Sequence, residues 1–177
     1  MRATVIAAVG PLIVALMHQA MLADEPFTIT IPGQGWSVAF EAPPLSQFQG
    51  QSHGKTFIFQ GTEPKAFNVS MFVEEAKSKD STNESCFKYY WPLAKRNPLI
   101  DQQSVKKETL PKFIKVTYLV RAHESTAFDV NYYFAFQGCW VDLHASWFPA
   151  ATDADQKLAA FEKSIAYEMG KDKAQAK

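Results

Sequence analysis

Two-residue alternation of apolar and polar side chains dominates the first part of the chain beyond residue 26. Phe27-Thr28-Ile29-Thr30-Ile31 alternates and stops at Pro32-Gly33, which predicts a strand and a turn. Trp36 to Glu41 alternates again and ends before Pro43-Pro44. Ser46 to Gly54 is polar and without a period, so it predicts a loop. Thr56 to Gln60 predicts a short strand, and Phe67, Val69, Met71 and Val73 mark one face of a fourth. The period then lengthens. Ser81-Thr82-Asn83-Glu84 has the form of a capping box, in which the serine oxygen and the glutamate carboxylate each satisfy an orphan amide. Cys86, Tyr89, Tyr90 and Leu93 follow at helical spacing, and Pro92 predicts an end or kink near Trp91.

Alternation returns in the second half. Ser104 to Glu108 and Phe113 to Arg121 predict strands, and Phe128 to Gln137 with Cys139 to Phe148 predict an antiparallel hairpin. With Gln137-Gly138 as its two turn residues, Phe134 opposes Val141, Tyr132 opposes Leu143, Val130 opposes Ala145 and Phe128 opposes Trp147. All eight then share one face, and a slip of one residue would mix the faces. Thr152 is placed to cap a last helix, with Ala154, Leu158, Phe161 and Ile165 as its apolar stripe. Gly170 closes that helix, and residues 170–177 are expected to be a disordered tail. The fold class is α+β: an antiparallel sheet of about six to eight strands sandwiched by helices, one after the fourth strand and one C-terminal. Residues 24–169 are expected to form a single domain.

The N-terminus changes the picture. Met1-Arg2 precedes an apolar run from Ala3 to Met17, and Ala23 is followed by Asp24-Glu25-Pro26. This is the pattern of a secretory signal peptide over residues 1–23, which places the mature chain outside the cytoplasm, secreted or periplasmic. The run is short for a membrane span and carries Gly10-Pro11 in its middle. Over the 177 residues, 18 basic side chains balance 18 acidic ones. That balance speaks against a nucleic-acid partner. In an oxidising compartment Cys86 and Cys139 are a candidate disulfide, the alternative being two buried free thiols. Asn68-Val69-Ser70 and Asn83-Glu84-Ser85 match the glycosylation sequon.

Trp36 to Phe40 before Pro43, the helix near Cys86 to Leu93, the meander ending in Gly138-Cys139-Trp140, and Ser146 before a helix with Phe161 and Ile165 together resemble the PsbP-like proteins. These are exported extrinsic subunits of photosystem II, and a nuclear import factor that binds the Ran GTPase shares their fold. The resemblance covers about Phe27 to Tyr167 and consists of element order. It implies an antiparallel sheet between helices and a binding or accessory role, and it assigns no functional residues.

Candidate chemistry lies on the last strand, where Asp142, His144 and Ser146 share the face opposite Val141, Leu143 and Ala145. Alternate residues of one strand stand roughly 6–7 Å apart at the backbone. A triad needs hydrogen bonds of about 2.6–3.2 Å and an oxyanion hole, and no nucleophile elbow is present, so no catalytic residue is assigned. His53, His123, His144 and Asp142 lack the spacing of a zinc site, and no metal or cofactor is called for. The proposed register sets Asn131 opposite His144, Tyr133 opposite Asp142 and Ala135 opposite Trp140. Asn131, Tyr133, Trp140, Asp142 and His144 thus form a candidate binding face, which Lys115, Thr117 and Arg121 are expected to share. Phe48, Phe72, Tyr90, Trp91 and Trp140 are left over from the core stripe, as a partner patch or, more often for such residues, a second small core. The leading expectation is a non-catalytic accessory protein that binds another exported or envelope protein. A carrier of a small apolar or amphipathic ligand comes second, and a hydrolase using Asp142, His144 or Ser146 third.

Overall fold

The structure, a computed structural model, describes residues 24–63, 66–77, 80–122, 125–148 and 154–170. The chain runs β1 (Glu25–Thr30), β2 (Trp36–Ala42), β3 (Gln47–His53), β4 (Thr56–Glu63) and β5 (Phe67–Glu75). Then follow α1 (Asn83–Ala94), β6 (Ile100–Thr109), β7 (Ile114–Ala122), β8 (Ser125–Phe136) and β9 (Cys139–Trp147). The chain closes with α2 (Ala154–Ser164) and β10 (Ala166–Met169). The signal-peptide pattern, Thr152 as a helix cap and the tail from residue 171 lie outside the described residues.

Three elements differ from the sequence expectation. The polar stretch expected to be a loop is strand β3, paired with β4 along its whole length from Gln47↔Thr62 to His53↔Thr56. All seven of its residues are exposed, so no alternation betrays it. The last helix stops at Ser164 rather than Gly170, and β10 pairs with β2, Ala166 opposite Ala39 and Met169 opposite Trp36. Ser164 Oγ accepts the amide of Glu41 at 2.9 Å, and the amide of Gly170 donates to the Gly35 carbonyl at 2.7 Å. An open sheet edge thus overrides a local helical preference. The cap of α1 is Thr82, with Ser85 closing the box, one residue beyond the expected Ser81 and Glu84. Glu84 instead reaches Lys88 and Lys107 at 3.5 and 3.4 Å. Pro92 lies inside α1, near enough to its end that the amide of Lys95 still reaches the Trp91 carbonyl at 3.0 Å.

The strands form two antiparallel sheets, β1-β2-β10 and β3-β4-β5-β9-β8-β7-β6. The α+β class and the antiparallel pairing therefore hold, but one helix-sandwiched sheet describes the layers only loosely. The inner face of the large sheet packs on the small sheet and α2 together. Trp36, Phe40, Phe67, Met71, Trp147 and Phe161 fill the space between them. Alternating apolar residues on β2, β4, β5, β8 and β9 supply this core, each removing ring or branched aliphatic surface from water. The outer face carries a second, smaller core under α1, built on Cys86, Tyr90, Val116, Tyr118, Tyr133 and Trp140.

The β8–β9 hairpin has the expected register, including Phe128↔Trp147, Val130↔Ala145, Tyr132↔Leu143 and Phe134↔Val141. Gln137 and Gly138 both have positive φ, 50° and 74°. A two-residue turn with positive φ at both positions matches the right-handed twist of its strands.

Candidate binding face

Period-two alternation puts Asp129, Asn131 and Tyr133 of β8 and Trp140, Asp142, His144 and Ser146 of β9 on the outer face of the large sheet. The expected pairs Asn131↔His144, Tyr133↔Asp142 and Ala135↔Trp140 are present. The residues joining them from β7 are Ile114, Val116 and Tyr118, which oppose Tyr133, Asn131 and Asp129. This corrects the expectation for Lys115, Thr117 and Arg121, whose partners Tyr132, Val130 and Thr126 lie on the inner side. Lys115 accordingly meets Glu162 of α2 at 2.9 Å and Glu108 at 3.2 Å. The expectation failed because β7 is buried on both faces from Ile114 to Tyr118, so its polar residues do not mark a solvent side.

Helix α1 packs across β7, β8 and β9 and closes much of the face that the sequence offered for binding. Tyr89 lies on Trp140 with ring centroids 5.1 Å apart, and Phe87 and Tyr90 lie 5.7 and 6.4 Å from Tyr133. Asn131, Tyr133 and Trp140 are buried, whereas Asp142 and His144 remain half-buried. Tyr90, Trp91 and Trp140 thus belong to the second small core, the alternative to a partner patch.

Beneath the helix runs a polar network. The Tyr118 hydroxyl donates to Asn131 Oδ1 at 2.7 Å, and Asn131 Nδ2 donates to Asp142 Oδ1 at 2.7 Å. Burial pushes the Asp142 carboxyl up to about 6, opposed by the Asn131 hydrogen bond and the His144 charge. His144 Nε2 meets Asp129 Oδ1 at 2.7 Å. At the rim the Tyr90 hydroxyl donates to Glu74 Oε1 at 2.8 Å. Burial raises the Tyr90, Tyr118 and Tyr133 phenols above their ordinary range, so all three stay neutral. Tyr90 and Tyr118 donate, whereas the Tyr133 hydroxyl makes no hydrogen bond.

The three residues of the triad reading are held in separate arrangements. Asp142 pairs with Asn131 and His144 with Asp129 of the next strand, while the buried Ser146 Oγ makes no hydrogen bond. Among the described residues no group of three or more histidines, cysteines or acids is placed to hold a metal. His53 ends the exposed strand β3, and His123 lies outside the described residues.

The Cys86–Cys139 bridge does not form. Both thiols are free and buried, Cys86 in the core under α1 and Cys139 in the core on the other side of the sheet. Cys86 Sγ donates to the Val141 carbonyl at 3.2 Å, and burial, followed by the Asp142 charge, raises its pKa. Two consequences are expected: reductant leaves the melting temperature unchanged, and maleimide labels two thiols only after denaturation. Thermal melts with and without reductant check the first, and mass spectrometry of the alkylated protein checks the second. Asn83 of the second sequon is structurally engaged, accepting the Ala135 amide at 2.9 Å and donating to the Lys112 carbonyl at 3.1 Å.

Beyond α1, among the described residues, the outer face towards β3 carries exposed and half-buried side chains. Two cross-strand rows continue from the network towards the β3 edge: Asp142, Phe72, Ile58 and Gln51, and beside it His144, Ser70, Gln60 and Gln49. Gln49, Gln51 and Gln60 are exposed, and Phe72 keeps 36% of its surface in solvent. Sequence reasoning set Phe72 aside as a leftover aromatic; the signal that places it is its parity, opposite to Met71 and Val73.

No family model and no curated protein matches the chain. A crystal structure from Bacteroides thetaiotaomicron is similar over 84% of this chain and 49% of its own length, with a TM-score of 0.46 and 10% identity. The chain thus spans about half the length of that structure. Among the described residues no helix is long and apolar enough to cross a membrane.

Proposed function

We propose that the protein is an exported, non-catalytic accessory protein that binds another exported or envelope protein through the open half of its outer face. The observation that carries this reading is Phe72, a large ring left in solvent just beyond the area that α1 covers. The row that contains it and the row beside it present amides, a hydroxyl, an imidazole and the half-buried Asp142. On its other side Glu74 is neutralised by Lys77 at 3.0 Å. Such a surface offers an apolar anchor ringed by hydrogen-bonding groups, the composition of an interface centre and rim. It suits a partner recognised by shape and hydrogen bonding, in keeping with the chain's zero net charge. Export rests on the residue 1–23 pattern, and the resemblance to PsbP-like proteins agrees with an accessory role.

The carrier reading has less support, because Trp36, Phe40, Phe67, Tyr132, Trp147 and Phe161 interlock between the two sheets. The test is a pull-down from the native exported fraction, beside native mass spectrometry, with wild type and Phe72→Ser. A protein retained by wild type and at least about tenfold depleted by the variant supports the reading. A co-purifying small molecule with no protein partner would favour the carrier instead.

A further inference from the structure

The four sheet edges are not equally protected against pairing with another strand. Unpaired amides and carbonyls along an edge are blunted by short length, charge, proline or a break in register. Strand β1 carries Glu25 and Pro26, and β10 has four residues including Glu168. Strand β6 carries Lys106, Lys107 and Glu108, and its register shifts between Asp101 and Lys106. Strand β3 has none of these devices. It is seven residues of Gln-Phe-Gln-Gly-Gln-Ser-His in unbroken register with β4, uncharged, free of proline and exposed throughout.

The phase of its hydrogen bonds follows from its turn. Gly54 and Lys55 form a two-residue connection with Gly54 at φ 60°. Such a turn makes the flanking His53 and Thr56 a hydrogen-bonded pair. Alternation then spends the amides and carbonyls of Gln47, Gln49, Gln51 and His53 on β4, and aims those of Phe48, Gly50 and Ser52 outward. These three are symmetric about Gly50.

We propose that β3 pairs antiparallel with β3 of a second copy of this chain, on a two-fold axis through Gly50. Gly50 then exchanges both hydrogen bonds with Gly50 of the other copy, and Phe48 does so with Ser52. Gln49 faces Gln51, and Gln47 faces His53, in the pairs between. This register uses all seven residues, matches the outward donors and acceptors, and keeps inner side chains on the inner side. No like charges meet, whereas a two-fold pairing of β6 would bring its lysines together. Phe48 is 63% exposed on the inner side, where it touches Phe27 at 6.3 Å between ring centroids. Across the new pair its diagonal neighbour is Gly50 of the other copy, beside which the ring would meet that copy's Phe57. The two large sheets become one of fourteen strands, twice the seven of each copy. Both Phe72 patches then face the same way. The inference goes beyond the partner-protein reading and does not depend on it.

The test is sedimentation velocity over a concentration series of the chain expressed at full length, with wild type and Gln49→Lys/Gln51→Lys. Both substitutions lie on the exposed outer face, and circular dichroism checks that the variant folds. Wild type is expected to sediment as a dimer, and the variant to dissociate at least about tenfold more readily. Register is tested by mixing Gln49→Cys with Gln51→Cys under mild oxidation. Non-hydrogen-bonded partners sit about 4.5 Å apart at Cα, within disulfide reach. A 49–51 mixed disulfide is expected, in preference to 49–49 or 51–51. A monomeric wild type, a dimer indifferent to the lysines, or no preference for the mixed disulfide would overturn the proposal.

Discussion

Replacing Phe161 with alanine is expected to lower the unfolding free energy by about 3–5 kcal/mol, the usual cost of removing a buried phenylalanine ring. The ring is the junction of three layers. It stands 5.5 Å from Phe40 of the small sheet, and 6.0, 6.0 and 5.8 Å from Phe67, Tyr132 and Trp147 of the large one. It is 2% exposed, so truncation leaves a void that neighbours on three sides cannot all collapse into. Against a typical total of about 5–15 kcal/mol this is a large share. With a urea slope of about 1–3 kcal/mol per molar, the midpoint should fall by about 2 M. Leu158→Ala, at a half-buried position on the same helix, serves as the milder control. A Phe161→Ala loss below about 1 kcal/mol would mean that α2 does not lock the two sheets together.

The second large effect is a change in pH dependence. The Asp142 carboxyl titrates near 6 in the folded chain and near 3.8 when unfolded. Between those values the folded state holds a proton that the unfolded state has released. Stability from this group is therefore full below about pH 4, falls as pH rises towards 6, and stays low above it. A shift of this size corresponds to about 3 kcal/mol at most. Asp142→Asn removes the titration while its side-chain oxygen still accepts from Asn131 Nδ2. The variant is expected to match wild type near pH 3.5 and to exceed it by about 1–3 kcal/mol at pH 7.5. Urea midpoints at pH 3.5, 5, 6 and 7.5 measure the difference. A variant less stable than wild type at pH 7.5 would show that the carboxylate is held charged in the fold.

The two predictions rest on features that were unequally legible in the sequence. The inner-face stripe of the β8–β9 hairpin was readable because both strands alternate and only one register aligns their apolar residues. Phe161 was readable from the spacing of Leu158, Phe161 and Ile165. Strand β3 was not, since solvent on both faces leaves no period to detect. Strand β10 was not either, because its residues answer to the free edge of β2, a long-range partner that no local window contains. The parity of Asp142 and His144 was clear, yet their surroundings were not. Alternation fixes which side of a sheet a residue faces, while the placement of α1 decides whether that side is dry. Asn131, Tyr133 and Trp140 are therefore buried under α1, while Phe72, on the same side of the sheet, keeps its ring in solvent.

Site-specific photo-crosslinking in the source cells tests the central claim most directly, with the photoreactive residue at position 72 in one variant and at the exposed position 88 on α1 in another. The open-face account predicts a discrete covalent adduct with one other protein from position 72 and none from position 88. No adduct at 72, or the same adduct from both positions, would contradict it.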